Sequence, residues 1–250
     1  MGRLETIHAW HGTKETMWSV RTINDVLIEA LKQVRDGDWF TLAESPLSTL
    51  PLVDEAFLTG ELRSKQRLAR VISSVLHWGV AGLKPGGDHS WLSARWRHYN
   101  VLHGYYFDEM RVADLAEALA IAEQTFYEWR HQAILMLSRV LYDGLHSPEQ
   151  AALCWQFVLN GRYTALDNPA QTLLRLLSLV DPEHSLPVAW LQQPLIIQPV
   201  SPIVDQLSQA QLISYDATEQ SVQIHPQIRP WLQGQVSAAE RVHWGQGLAG

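Results

Sequence analysis

The stretch RVADLAEALAIAEQTFYEWRHQAILMLSRVL, Arg111 to Leu141, decides how this chain is read. Its apolar residues fall into two helical sets with a break between them. Val112 to Leu119 makes the first helix, and Glu123 to Tyr142 makes the second. Two short helices pack at a steep angle only if the residues between them are small or apolar at set places. Leu115 and Leu119 are expected to face the core, and Ala116 is small where the second helix crosses. Ile121 plugs the turn, while Phe126 and Trp129 anchor the second helix. This is the register of a helix-turn-helix. It leaves Glu123, Gln124, Tyr127, Glu128 and His131 facing outward, with Arg130 beside them.

In such a motif the outer face enters the major groove of a duplex. Gln can pair with adenine, Arg with guanine, and Glu with the cytosine amino group. The expected DNA contacts are therefore Gln124, Thr125, Tyr127, Glu128, Arg130 and His131. Arg95, Arg97 and Arg111 are the expected phosphate contacts. Glu123 and Glu128 oppose this reading, because phosphates repel them. The plain alternative is a helical hairpin in an all-α core.

The spacing also resembles region four of bacterial sigma factors. The match runs from RHYNVLHGYYFDEM through AEALAIAEQTFYEWRHQAILMLSRVL, about 45 residues. The aromatic helix before the motif and Ala133 fit. Two positions depart from the pattern. Ala120 stands where the turn usually has glycine. Ala122 stands where a serine or threonine usually caps the recognition helix, which weakens that helix start by about 1 kcal/mol.

Upstream, residues 1–20 have no clear period and are expected to be frayed. Thr22 with Asp25 resembles a capping box, and Ile23, Val26, Leu27, Ala30, Leu31 and Val34 form one apolar face. Asp36-Gly37-Asp38 should stop that helix. Pro46 and Pro51 punctuate a segment with one short helix, Leu52 to Leu58. Leu62 to Ala81 reads as a longer helix, ended by the Pro85-Gly86-Gly87-Asp88 loop, where a domain boundary is placed. Trp91 to Met110 reads as a helix leading into the motif.

Downstream, Asp143-Gly144 is expected to stop the second motif helix. Ser147-Pro148-Glu149-Gln150 combines a cap, a proline at the first helical position and a glutamine reaching back. Asn168-Pro169-Ala170-Gln171 repeats the device, and Ser201-Pro202 does so less completely. The period then changes. Leu212 to Asp216 and Ser221 to His225 alternate around a polar turn, which predicts a hairpin. Pro226 to Leu232 is a short closing helix. Helix, helix, helix, hairpin is winged-helix order, with Trp190 and Trp231 sealing the core. The fold class expected is mainly α: a helical N-terminal region, the helix-turn-helix, and a C-terminal winged helix with one β-hairpin. The divisions are 1–20, 21–88, 89–145, 146–167, 168–235 and 236–250, the last a loose tail or partial helix.

The segment NPAQTLLRLLSLV through IHPQIRPWL resembles the winged-helix module of STAND-type regulatory ATPases, the NB-ARC and NACHT relatives. LAESPLSTLPLV, followed by a basic helix and the sigma-like motif, resembles a regulatory segment found before such ATPases. The resemblance implies a module that packs against a nucleotide domain or docks onto protein. No such domain is expected within these 250 residues. A phosphate-binding loop needs glycines followed by a lysine and a hydroxyl. Gly82-Leu83-Lys84-Pro85-Gly86-Gly87 lacks the lysine–hydroxyl pair and reads as a loop. NTP hydrolysis is not expected.

Composition narrows the function classes further. The chain has 250 residues, 46% hydrophobic and 18% charged, enough to bury a core. A net charge of −7 argues against a strong nucleic-acid binder. The charge is uneven, however: residues 61 to 100 carry seven lysines and arginines against Glu61 and Asp88. The 11 tryptophans demand burial or an adhesive surface. Trp91, Trp96 and Tyr99, at helical spacing, read as core. Cys154 is the only cysteine, so no intrachain disulfide or cysteine metal cluster can form. Residues 1–20 show no signal peptide, and Leu68 to Leu83 is too short and polar for a membrane span. A cytoplasmic location is the expectation.

His8 with His11, or His98 with His103, lack acidic or cysteine partners for a metal. There is no H-E-x-x-H and no G-x-S-x-G. No catalytic residue, cofactor or metal is therefore expected. Two functions remain: a transcription regulator that binds double-stranded DNA, and a non-catalytic adaptor that docks onto protein partners through the winged helix. The oligomeric state is open.

Overall fold

The computed structural model describes residues 18–57, 64–180, 185–191 and 200–248. Residues 1–17, the ends of the predicted helices at Leu58 and Leu62, and His8 and His11 lie outside them. So do residues 181–184 and 192–199 of the predicted winged helix. The chain is mainly helical, with one small antiparallel sheet. It divides into two compact units. The first holds Met1–Asp54 and Lys65–Ala151; the second holds Glu55–Ser64 and Ala152–Gly250. No helix among the described residues is long and apolar enough to cross a membrane.

The first unit begins with α1, Val20–Asp36. Its start lies earlier than the Thr22 reading, because Ser19 is the cap: Ser19 Oγ accepts the Thr22 N–H at 3.1 Å. The helix buries Ile23, Leu27, Ala30, Leu31 and Val34 on one face. It stops at Gly37, whose φ of 67° suits glycine and whose N–H reaches back to the carbonyls of Gln33 and Val34. Three short helical pieces follow: α2 (Trp39–Glu44), a 3-10 turn (Pro46–Thr49) and α3 (Pro51–Glu55). The sequence suggested a single helix here. Asp38 and Ser45 each cap a new start, through bonds from the N–H groups of Thr41 and Leu47. Asp36-Gly37-Asp38 is thus both a stop and a start.

After α4 (Lys65–Ala81), the Pro85–Asp88 loop runs on inside the same unit to α5, Arg97–Tyr106. The helix expected from Trp91 to Met110 is shorter at both ends. At its front, the Asn100 side-chain amide donates to the carbonyls of Ser90 and Trp91, which holds residues 91–96 as turns. At its back, the Asp108 N–H returns to the His103 carbonyl and Glu109 takes φ 54°. α6 spans Val112–Ala118 and α7 spans Glu123–His146. Val101, Leu115, Leu119 and Phe126 form a buried cluster, against which Tyr105, Ile121 and Trp129 pack.

α7 does not stop at Asp143-Gly144. It runs on to His146, because Gly144 is buried at a close approach. A Cβ there would stand 2.8 Å from Trp78 Cη2 and 3.1 Å from Leu52 Cδ1. The missing side chain is filled by the indole, and tertiary packing overrides the poor helix propensity of glycine.

The division between the units falls within α8, Pro148–Thr164. Ser147 caps this helix as expected, accepting the Gln150 N–H at 3.3 Å; its hydroxyl donates to Glu149 Oε2 at 2.9 Å. The second unit continues with α9 (Asn168–Leu177), β1 (Leu186–Pro187), α10 (Val188–Leu191), α11 (Val200–Gln209), β2 (Ile213–Asp216), β3 (Ser221–Ile224), α12 (Arg229–Gln235) and α13 (Ala238–Leu248). The cap of α9 is Asp167 rather than Asn168, one residue early, with the Ala170 N–H on its Oδ1 at 2.9 Å. The hairpin forms as predicted, pairing Ile213 with Ile224 and Asp216 with Ser221. β1 adds a third, two-residue strand on β3. α12 begins at Arg229, later than the Pro226 start, because His225 to Ile228 close a turn.

The core of this unit is Leu173, Leu174, Leu177, Leu207, Leu212, Val222, Ile228 and Leu232, with Trp190 and Trp231 packed on it as anticipated. Of the two readings for the tail, a loose tail or a partial helix, the helix forms: α13 is capped at its start. Ser237 Oγ accepts the Glu240 N–H, and Glu240 Oε2 accepts the Ser237 N–H, a reciprocal capping box. Glu240 also accepts from Arg175 Nε at 3.0 Å, which ties α13 to α9.

Gly144→Ala should destabilise the first unit by about 1–2 kcal/mol, since overpacking against a stiff indole outweighs the gain in helix propensity. Urea unfolding followed by circular dichroism measures this; a stabilised variant would show that Trp78 does not fill the space.

Candidate nucleic-acid interface

α6 and α7 are joined by a tight turn. Leu115 is fully buried, Ala116 nearly so, and Leu119 closes the contact. The Ile121 N–H bonds to the Ala116 carbonyl at 2.9 Å, and the Ala120 N–H to the Glu117 carbonyl at 3.0 Å. This pair of bonds is the Schellman pattern, with its left-handed position at Ala120, φ 53°. Glycine is the usual occupant, because a Cβ in that region costs roughly 1–2 kcal/mol. Ala122, just before α7, is extended and supplies no side-chain cap. Glu123 in the first turn offsets part of that loss, since a negative charge is favourable at a helix N-terminus.

Phe126 is fully buried, and Trp129 is half-buried against the same cluster. On the other side of the helix, Gln124, Tyr127, Glu128 and His131 are exposed, while Thr125 and Arg130 are half-buried. The structure therefore exposes Gln124, Tyr127, Glu128 and His131 on one strip, with Thr125 and Arg130 half-buried at its edges. That strip is mixed in charge: Glu123 and Glu128 stand with Arg130 and His131.

Much of the positive charge is already engaged. Arg130 lies over two rings, 5.2 Å from Tyr127 and 5.7 Å from Tyr105. Arg35, from α1, stacks on Tyr105 at 3.8 Å. Arg97 sits 4.4 Å from the Trp129 ring, which links the start of α5 to α7, and its Nε is buried with no hydrogen-bond partner. Burial first, and then the Arg97 charge, lower the pKa of neighbouring His98. Arg111 is exposed, yet its Nε and Nη2 donate to Asp114 at 2.7 and 2.6 Å. That pairing holds the Asp114 carboxyl below its ordinary range and raises Arg111. Arg95 is exposed, two residues before α5.

Tyr105 as a platform for two guanidiniums was missed from sequence. Arg35 lies on a separate helix, and no local spacing signals the contact. Among the described residues, no group of three or more histidines, cysteines or carboxylates is arranged to hold a metal. Comparison with protein-family models, with curated proteins and with solved structures finds no match.

Ala120→Gly combined with Ala122→Ser should stabilise the first unit by about 1–2 kcal/mol, by relieving the left-handed strain and supplying the absent cap. Thermal and urea unfolding measure the gain. No change would mean that the turn and helix start are not as described.

Proposed function

We propose that the chain is a DNA-binding transcription regulator. In this reading α6, the turn and α7 act as a helix-turn-helix of the sigma-region-four kind, and the first turns of α7 enter the major groove. Gln124, Thr125, Tyr127, Glu128, Arg130 and His131 face the bases, and Arg95, Arg97 and Arg111 face phosphates. The observation that carries the proposal is the strip itself. Polar side chains stand exposed at the start of a 24-residue helix whose opposite side is fixed by a fully buried phenylalanine. A groove reader needs this combination of accessible polar groups and a rigid support. The second unit, with α9, α11 and the hairpin, is read as a winged helix of the STAND type that regulates or docks. Both activities belong to the cytoplasm.

A second reading has its own support. The acidic total, the pinning of Arg111 on Asp114 and the stacking of Arg97 and Arg130 leave less positive charge for phosphates. Leu135 and Met136 continue the outer side of α7 with apolar, exposed side chains. These features suit an adaptor that docks onto protein.

Fluorescence anisotropy with a mixed-sequence duplex, titrated at several salt concentrations, separates the two. The regulator reading expects salt-dependent binding. Arg95→Ala with His131→Ala should weaken it about fivefold or more and lower the salt slope by about 1 for each phosphate no longer neutralised. Glu123→Gln with Glu128→Gln should strengthen it. Absence of salt-dependent binding, or indifference to both pairs, overturns the regulator and leaves the adaptor.

A further inference from the structure

The loop between α4 and α5 lies against α5, and the two border an open cleft of about 250 Å³. Trp96 and Tyr99, buried as the sequence suggested, and the half-buried Trp91 line it together with Lys84, His89 and His103. Asn100 and Asp108 complete the wall. The aromatic rings meet edge to face. His89 lies 5.0 Å from Trp96 at 89° and 5.3 Å from Trp91 at 80°, and Trp96 lies 5.7 Å from Tyr99 at 74°. Flat ring surfaces and edges therefore border a space smaller than the roughly 300–1,000 Å³ of a drug-sized site.

The polar groups in this wall are held in fixed orientations. Asn100 is 1% exposed, and its amide nitrogen donates to the carbonyls of Ser90 and Trp91. Its Oδ1 must then accept, so His89 Nε2, 2.8 Å away, carries the proton. Similarly, Asp108 accepts from His103 Nδ1 at 3.0 Å, which leaves His103 Nε2 beyond that bond. Two imidazoles are thus oriented by a buried amide and a carboxylate.

The lining carries one lysine and one aspartate, Lys84 and Asp108. Lys84 is exposed, with its ammonium 4.8 Å from the Tyr99 ring centre, while the charge of Asp108 is directed to His103. Behind the wall, His77 stacks on Phe107 at 4.7 Å and lies 5.4 Å from His103. Burial lowers the pKa of His77, and the charges of His103 and Lys84 lower it further, against an opposing effect from Asp108.

We propose that the cleft between the Lys84–Trp96 loop and α5 binds a small planar anion of one or two rings, an aromatic or heteroaromatic carboxylate. The ring lies against Trp91, Trp96 and Tyr99, and the carboxylate faces Lys84. The site does not depend on whether α7 contacts DNA.

Calorimetric titration of the full chain tests it. Benzoate and indole-3-carboxylate are the one- and two-ring probes. Cyclohexanecarboxylate keeps the charge without the flat ring, and benzamide keeps the ring without the charge. At least one planar anion should bind saturably with Kd of about 0.1–1 mM, a plausible strength for so few atoms. Both controls should be about tenfold weaker or worse. Lys84→Met, at an exposed position, should leave the circular dichroism spectrum unchanged, weaken the planar anion about fivefold or more, and leave benzamide where it was. Failure of both planar anions to saturate by about 10 mM, equal affinity for the controls, or indifference to Lys84→Met would each overturn the proposal.

Discussion

Phe126 has no exposed surface, and it is packed with Val101, Leu115 and Leu119. This one contact sets the rotation of α7 about its axis. At about 100° per residue, Ala133, Leu137 and Leu141 fall on the same side as Phe126, and all three are buried. Gln124, Tyr127, Glu128 and His131 then fall on the far side and are exposed. Burying a phenylalanine contributes roughly 1.5–3 kcal/mol, several times what an exposed ion pair gives. The apolar contact therefore decides the geometry, and the outer polar residues are free to be chosen for another purpose. The other end of the helix is fixed separately, where Trp78 lies over Gly144.

Charge on the outer face follows a different logic. Three arginines that sequence alone assigns to DNA contact have partners within the fold. Arg111 bonds to Asp114, Arg97 lies on Trp129, and Arg130 lies on Tyr105 and Tyr127. A guanidinium on a ring keeps its charge, because the ring holds only one face. A guanidinium bonded twice to a carboxylate is electrically cancelled at a distance. Arg97 and Arg130 keep their charge but are held half-buried on rings, and Arg111 is paired with a carboxylate, which leaves Arg95 exposed to solvent without such a contact among the described residues.

Sequence pattern made the period-driven elements legible. Leu115, Leu119, Ile121 and Phe126 placed the α6–α7 turn, and the alternation from Leu212 to His225 placed the hairpin. Ser147-Pro148 marked the start of α8. What the sequence hid was set by contacts distant along the chain. Gly144 read as a stop, because the Trp78 ring that makes it useful lies on α4. Trp91 to Trp96 read as helix, because the bonds from Asn100 that fold it into turns are side-chain bonds with no periodicity. β1 is two residues long and contains Pro187, so it had no alternation to detect. The exposure of Gln124, Tyr127, Glu128 and His131 was legible from spacing alone, but the ring platform at Tyr105 needed the fold.

The central claim is that the start of α7 meets a duplex. Backbone amide NMR of the isotope-labelled chain, with a short mixed-sequence duplex added at low salt, tests it most directly. The account predicts shift changes concentrated from Glu123 to His131 and at Arg95, fading as salt is raised. Changes confined to other surfaces, or a spectrum unaltered by the duplex, would contradict it.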